Sequence, residues 1–163
     1  IQELGYIENS DTQVLAVRRD KLPPNHSDFP ETLNLLAKVY EKQERSEEAE
    51  ILYSEAKEFN ERTLGYAHPQ TAFSYNNLAK IYQKQKRYKD AESLFQKAIE
   101  ILKEAEILPS AGWCLRNLAV LYAEMQELVR ARTFFQEAVE ILQKCLPAEH
   151  PYVLQCKKDL DYL

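Results

Sequence analysis

Apolar residues along this chain recur at helical spacing, in blocks set a nearly constant distance apart. Leu33, Leu36, Ala37 and Tyr40 form one stripe. Tyr75, Leu78, Ala79 and Tyr82 repeat it, and Leu115, Leu118, Ala119 and Tyr122 repeat it again. From Ala37 to Ala79 the offset is 42 residues, and from Ala79 to Ala119 it is 40. Apolar positions at i, i+3, i+4 and i+7 mark one face of a helix. Behind each stripe comes a second: Ala49, Tyr53, Ala56; Ala91, Phe95, Ala98; Ala131, Phe135, Ala138. Each period therefore predicts two antiparallel helices, A and B, joined by a short polar turn such as Glu44-Arg45-Ser46 or Lys86-Arg87-Tyr88. A period of this length predicts a stacked helical solenoid, in which no unit can bury its apolar face alone.

The alanines let helices approach closely, and the aromatics fill the space between successive pairs. With only three glycines, and prolines mostly at expected helix junctions, the chain favours helices over strands and hairpins. Hydrophobic residues at 45% and charged residues at 29% suit a globular chain and argue against disorder. No apolar run approaches the roughly 18 residues of a membrane span, and no charged-then-apolar leader opens the chain. The first residue is Ile1, as expected for a piece of a longer protein. A net charge of −5 argues against broad nucleic-acid binding. Cys114, Cys145 and Cys156 are too few and too irregular for a disulfide framework, which places reduced, structural thiols in a cytoplasmic protein.

The Leu, small residue, Tyr, then Ala, aromatic, Ala pattern resembles the tetratricopeptide repeat. Leu64-Gly65-Tyr66-Ala67-His68-Pro69, followed by Thr71-Ala72 and Ser74 to Ala79, is similar to the 42-residue repeat of kinesin light chains. Leu22 to Ser27 and Leu146 to Pro151 repeat that junction imperfectly. The third unit has Ile107-Leu108-Pro109-Ser110 instead, which accounts for its two missing residues. The resemblance implies an all-α, right-handed superhelical solenoid of antiparallel helix pairs. The expected organisation is a partial repeat over 1–27 (a helix B and its junction) and full repeats over 28–69, 70–109 and 110–149. Residues 150–163 form either a polar capping helix or the start of a further repeat.

Candidate chemistry is sparse. His26, His68 and His150 share one repeat position just before an A helix, spread too far along a solenoid to converge on one ion. They are expected to serve the junction turn. Cys114 has no histidine at a nucleophile-type spacing, and no glycine-rich phosphate loop is present. No enzyme, metal site or cofactor is expected.

The A-helix face opposite the core stripe is more informative. At about 100° per residue it carries Glu31, Asn34, Leu35, Lys38, Glu41 and Lys42 in the first unit. The second unit places Phe73, Asn76, Asn77, Lys80, Gln83 and Lys84 there, and the third Trp113, Arg116, Asn117, Val120, Ala123 and Glu124. The resemblance implies that A helices line a concave groove. Recurrent asparagines can grip a peptide backbone through paired donor and acceptor atoms, lysines make the groove basic, and Trp113 can offer a flat anchor. The candidate groove residues are Asn34, Lys38, Phe73, Asn76, Asn77, Lys80, Lys84, Trp113, Arg116 and Asn117. The chaperone-tail clamp of some tetratricopeptide domains is broken here, with Asn34 and Lys38 exchanged and Trp113 and Asn117 replacing later cations. Kinesin light chains use this groove for acidic segments, so the resemblance implies an adaptor for a protein or peptide with an acidic segment. The alternative is a structural, self-assembly or regulatory region of a larger protein, through apolar residues such as Tyr152, Val153 and Tyr162 on the last helix.

Overall fold

The computed structural model describes Val17 and residues 28–163. The junction expected at Leu22 to Ser27, with His26, and the partial repeat over 1–27 lie outside the described residues apart from Val17, which is helical and half-exposed. Seven helices and no strand occur among the described residues: α1 (Phe29–Lys42), α2 (Ser46–Leu64), α3 (Pro69–Lys84), α4 (Tyr88–Glu104), α5 (Leu108–Glu124), α6 (Leu128–Cys145) and α7 (Pro151–Asp161). They fall into two compact units, one ending at Tyr66 and the other spanning Ala67–Leu163.

In the first unit α1 and α2 form a helical hairpin. Its seam holds Leu33, Leu36 and Ala37 against Ala49, Tyr53 and Ala56, all of them buried. In the second unit each helix packs on its neighbour in sequence, α3 through α7. One continuous core joins them, with Tyr75 and Ala79 from α3, Ala91, Phe95 and Ala98 from α4, Leu115, Leu118, Ala119 and Tyr122 from α5, and Ala131, Phe135 and Ala138 from α6, and Leu78 of α3 is buried as well. These are the stripes the sequence predicts. The last tyrosine of each A stripe is less uniform: Tyr122 is fully buried, whereas Tyr40 and Tyr82 are half-buried.

One turn recurs. Helices α1, α3, α4 and α5 each end with a residue in the left-handed region: Glu44, Lys86, Glu106 and Gln126, at φ 57° to 63°. The following amide donates back five residues to a carbonyl of the last helical turn, as Arg45 N to Tyr40 O, Arg87 N to Tyr82 O, Ile107 N to Leu102 O and Glu127 N to Tyr122 O. This is the Schellman arrangement, which satisfies the orphan carbonyls of a helix end. The residue donating that bond is also the N-cap of the next helix, so the chain reverses in very few residues.

The other connections are longer. Gly65 ends α2 at φ 94°, ψ 164°, a conformation that favours glycine. His68 and His150 are then extended, and each is followed by proline at the first helical position. The α4–α5 link lacks this junction and uses the tight turn at Glu106 instead, which shortens the period as expected.

Candidate peptide-binding groove

In the second unit, helices α3, α5 and α7 bring their groove-facing side chains together. The geometry follows from the repeat register. Asn76 and Arg116 hold one equivalent position on α3 and α5, while Asn117 and Asp159 hold the next equivalent position on α5 and α7. Asn117 Nδ2 donates to Asn76 Oδ1 at 3.0 Å, linking α5 to α3. Arg116 Nε donates to Asp159 Oδ2 at 2.6 Å, linking α5 to α7 by the same step. Further along the face, Gln83 Nε2 donates to Glu124 Oε1 at 2.7 Å. Successive A helices are thus tied by a ladder of polar contacts between fixed repeat positions.

Between α3 and α5 lies an open cleft of about 240 Å³, lined by Lys80, Gln83, Lys84, Arg116, Asn117, Val120 and Glu124. Three cations line it in a protein whose net charge is −5. Four of the ten expected groove residues, Lys80, Lys84, Arg116 and Asn117, converge there. Asn76 joins them through its bond to Asn117. Phe73 and Asn77 sit on α3, both half-buried. Asn117 is more enclosed than a groove residue is expected to be, at 7% exposure.

Trp113 has a different setting from the free anchor suggested by sequence. Its ring stacks on Tyr152 of α7 at 4.5 Å between centroids, and the Arg116 guanidinium lies 4.7 Å from its ring centre. Asp159, besides holding Arg116, accepts from Gln155 Nε2 at 2.8 Å through its other oxygen. This corner is a closed set of internal partners, and sequence reasoning missed it. The signal was available: Asp159 stands in the register of Asn77 and Asn117, and an acid there faces Arg116 one repeat back.

Asn34 and Lys38 lie on α1 in the first unit, beside the exposed Leu35. Asn34 Oδ1 is buried and has no hydrogen-bond partner among the described residues.

The residues considered for chemistry have structural settings. Nδ1 of His68 accepts from Gln70 N at 3.1 Å, and Nδ1 of His150 accepts from Tyr152 N at 3.2 Å. Both histidines therefore cap their helices, as expected of the junction. Burial pushes the Cys114 thiol up to about 12, the opposite of an activated nucleophile. Burial also pushes Cys156 up to about 11, with Arg116 opposing and Asp159 adding to the effect. Cys145 is exposed. No cluster of metal-ligating side chains occurs among the described residues, and no described helix is long and apolar enough to cross a membrane. Val153, expected to be an exposed apolar residue, is fully buried because it faces the core from the first turn of α7; Tyr152, Leu154 and Tyr162 are exposed.

Paired helices with a common register, a shared alanine-aromatic seam and a polar inter-helix ladder define a helical-repeat protein. The chain belongs to the tetratricopeptide repeat family, whose profiles match residues 28–104 and 112–152. With the family goes a general role as a protein-interaction module. None of the curated proteins matches the chain in sequence. Among solved structures it is similar to the kinesin light chain TPR-like repeats of Podosopora anserina, with a TM-score of 0.80 at 23% identity over 99% of this chain and 77% of that one. BtubC (BKLC) from P. vanneervenii is also similar, with a TM-score of 0.83 at 21% identity over 98% of this chain and 65% of that one. Aspartyl phosphate phosphatase F from Bacillus subtilis shares the fold, with a TM-score of 0.79 at 16% identity over 96% of this chain and 39% of that one.

Proposed function

We propose that the chain is a non-catalytic adaptor that holds an extended peptide segment carrying acidic residues in the groove of α3, α5 and α7. The observation that carries this reading is the convergence of Lys80, Lys84 and Arg116 on one open cleft. Cations lining a concave surface attract acidic ligands and raise their encounter rate, most strongly at low ionic strength. The Asn76–Asn117 pair supports the same reading. Each amide uses one of its groups in that bond, which leaves the Asn76 NH2 and the Asn117 oxygen for the backbone of a bound strand. Buried thiols suit the cytoplasmic setting expected from the sequence.

The test is binding of an acetylated, amidated peptide with one tryptophan flanked by glutamates, measured by calorimetry against the same peptide with glutamines. Wild-type protein should prefer the glutamate peptide. Lys80→Glu with Lys84→Glu should abolish the preference while leaving the melting temperature within a few degrees. Equal binding of both peptides to the wild-type protein sinks the acidic-ligand reading.

A second reading, self-assembly through α7, is favoured by the exposure of Leu154 and Tyr162 at 52% and 81%. Concentration-dependent light scattering that disappears in Leu154→Ser/Tyr162→Ser would support it.

A further inference from the structure

Arg116 and Trp113 are the two groove residues best suited to read an acid and an apolar ring, and α7 already supplies both partners. The Asp159 carboxylate takes Arg116 at 2.6 Å, and the Tyr152 ring takes Trp113 at 4.5 Å. The ion pair is well shielded, with side-chain exposure of 19% for Arg116 and 18% for Asp159. It is also braced, because Gln155 on the same helix holds the second Asp159 oxygen. Lys80 and Lys84 border the same cleft from α3, while Glu124 borders it from α5.

We infer that α7 is an internal competitor for acidic ligands, with Asp159 occupying the seat on Arg116 that an incoming carboxylate would otherwise take. The inference rests on the groove reading above and adds its regulation. Two consequences follow from charge and packing. A carboxylate approaching Arg116 meets a neutralised guanidinium and the repulsion of Asp159, so ligand affinity is set partly by how firmly α7 docks. Conversely, a ligand that takes Arg116 removes one of the ties of α7 to α5. By linkage, whatever loosens α7 strengthens acidic ligands, and acidic ligands loosen α7. Cys156 reports the second effect: it is fully buried on α7, so alkylation requires that helix to lift.

The experiment uses the glutamate and glutamine peptides already named. Asp159→Asn keeps the shape and an acceptor oxygen but removes the charge. It should tighten the glutamate peptide by about fivefold and leave the glutamine peptide within about twofold. Asp161→Asn removes the same charge from an exposed position on the same helix and should leave both affinities near wild type. Asp159→Ser serves as a second variant, and circular dichroism confirms that either is folded. Iodoacetamide labelling, read by mass spectrometry at each cysteine, should show Cys156 reacting faster once the glutamate peptide is bound, with Cys114 unchanged. If Lys80→Glu/Lys84→Glu weakens the peptide yet Asp159→Asn and Asp159→Ser bind as wild type, the competitor role is wrong and the groove reading stands. If Asp161→Asn tightens binding as much as Asp159→Asn, the effect is general charge and the inference is overturned. If the glutamate peptide binds no variant better than the glutamine peptide, both ideas fail together.

Discussion

Arg87 holds its guanidinium 3.9 Å from the ring centre of Tyr82 while its Nε reaches the Asp90 carboxylate at 3.1 Å. Tyr82 lies near the end of α3 and Asp90 in the first turn of α4, so one side chain fastens both sides of the reversal. The first unit repeats the contact, with Arg45 4.3 Å from the Tyr40 ring and 2.8 Å from Glu48. In the third repeat the charges are exchanged: Glu127 stands at the arginine position, and Arg130 at the acid position lies 4.0 Å from the Tyr122 ring. Arg130 additionally reaches Tyr122 Oη at 2.5 Å and Glu92 of α4 at 3.3 Å. Arg130→Ala should therefore lower the melting temperature more than Glu127→Ala, because it severs a tie between repeats as well as the one within the turn. Thermal melts at low and high salt check this, and the gap should narrow as salt screens the charges. Equal melting temperatures for the two variants would remove the between-repeat role.

The four left-handed residues Glu44, Lys86, Glu106 and Gln126 are all exposed, so their side chains contribute little packing. A non-glycine residue in that region costs about 1–2 kcal/mol in local sterics, partly offset by the greater chain entropy glycine loses on folding. Gln126→Gly should therefore stabilise the protein by about 1 kcal/mol. For a chain of this size, that corresponds to a rise of about 2–4 °C in melting temperature. Gln126→Val, whose branched side chain resists this conformation, should move it the other way. A glycine variant that melts lower than wild type would show that the turn is not strained at this position.

The repeat was legible because its core residues obey two periods at once, helical within a stripe and about 40 residues between stripes. Leu33, Leu78 and Leu118 could be assigned to the core on that ground, and all three are buried. The groove was legible as a face, since any residue opposite the stripe must point away from it. What the register alone did not supply was the occupancy of that face. Trp113 and Arg116 read as ligand-facing because the contacts of Tyr152 and Asp159 depend on how α7 packs, which no local pattern encodes. The turn conformation was hidden for another reason. Lys86 and Gln126 carry none of the glycine or asparagine signals that usually mark a left-handed helix end.

Gly112 shows how closely α5 and α6 approach. A Cβ placed there would lie 2.7 Å from Leu142 Cγ and 2.9 Å from its Cδ2, and Leu142 is fully buried. Glycine within a helix ordinarily costs about 1 kcal/mol relative to alanine. Here the overlap reverses the sign, because overpacking a filled core costs about 1–3 kcal/mol. Gly112→Ala should be destabilising by about 1 kcal/mol net, in denaturant melts with an unchanged m-value. Adding Leu142→Ala to Gly112→Ala makes the room and should cost less than Leu142→Ala alone, the signature of coupling across the contact. Independent, additive effects of the two substitutions would contradict the close approach.

Alkaline pH should unfold this protein through groups that are buried neutral. Burial raises Cys114 from an ordinary value of 9.0 to about 12 and Cys156 to about 11. Tyr122 rises from 10.0 to about 12, first through burial and then through its hydrogen bond to Glu92. In each case the folded state holds its proton more tightly than the unfolded chain does. The resulting stability is fully present below the unfolded pKa, near 9 for the thiols and 10 for the phenol, and is lost as pH rises through the folded value. Between pH 9 and 11 the two thiols each contribute a downward slope of at most about 1.4 kcal/mol per pH unit. Urea melts from pH 7 to 11 should show stability roughly flat to pH 8.5 and falling steeply beyond. Cys114→Ala removes one titrating thiol, so its stability should fall less steeply over that window, although it starts lower at pH 7 because a buried side chain has been trimmed. Parallel curves for the variant and the wild type would mean that Cys114 ionises in the folded protein without opposition from its surroundings.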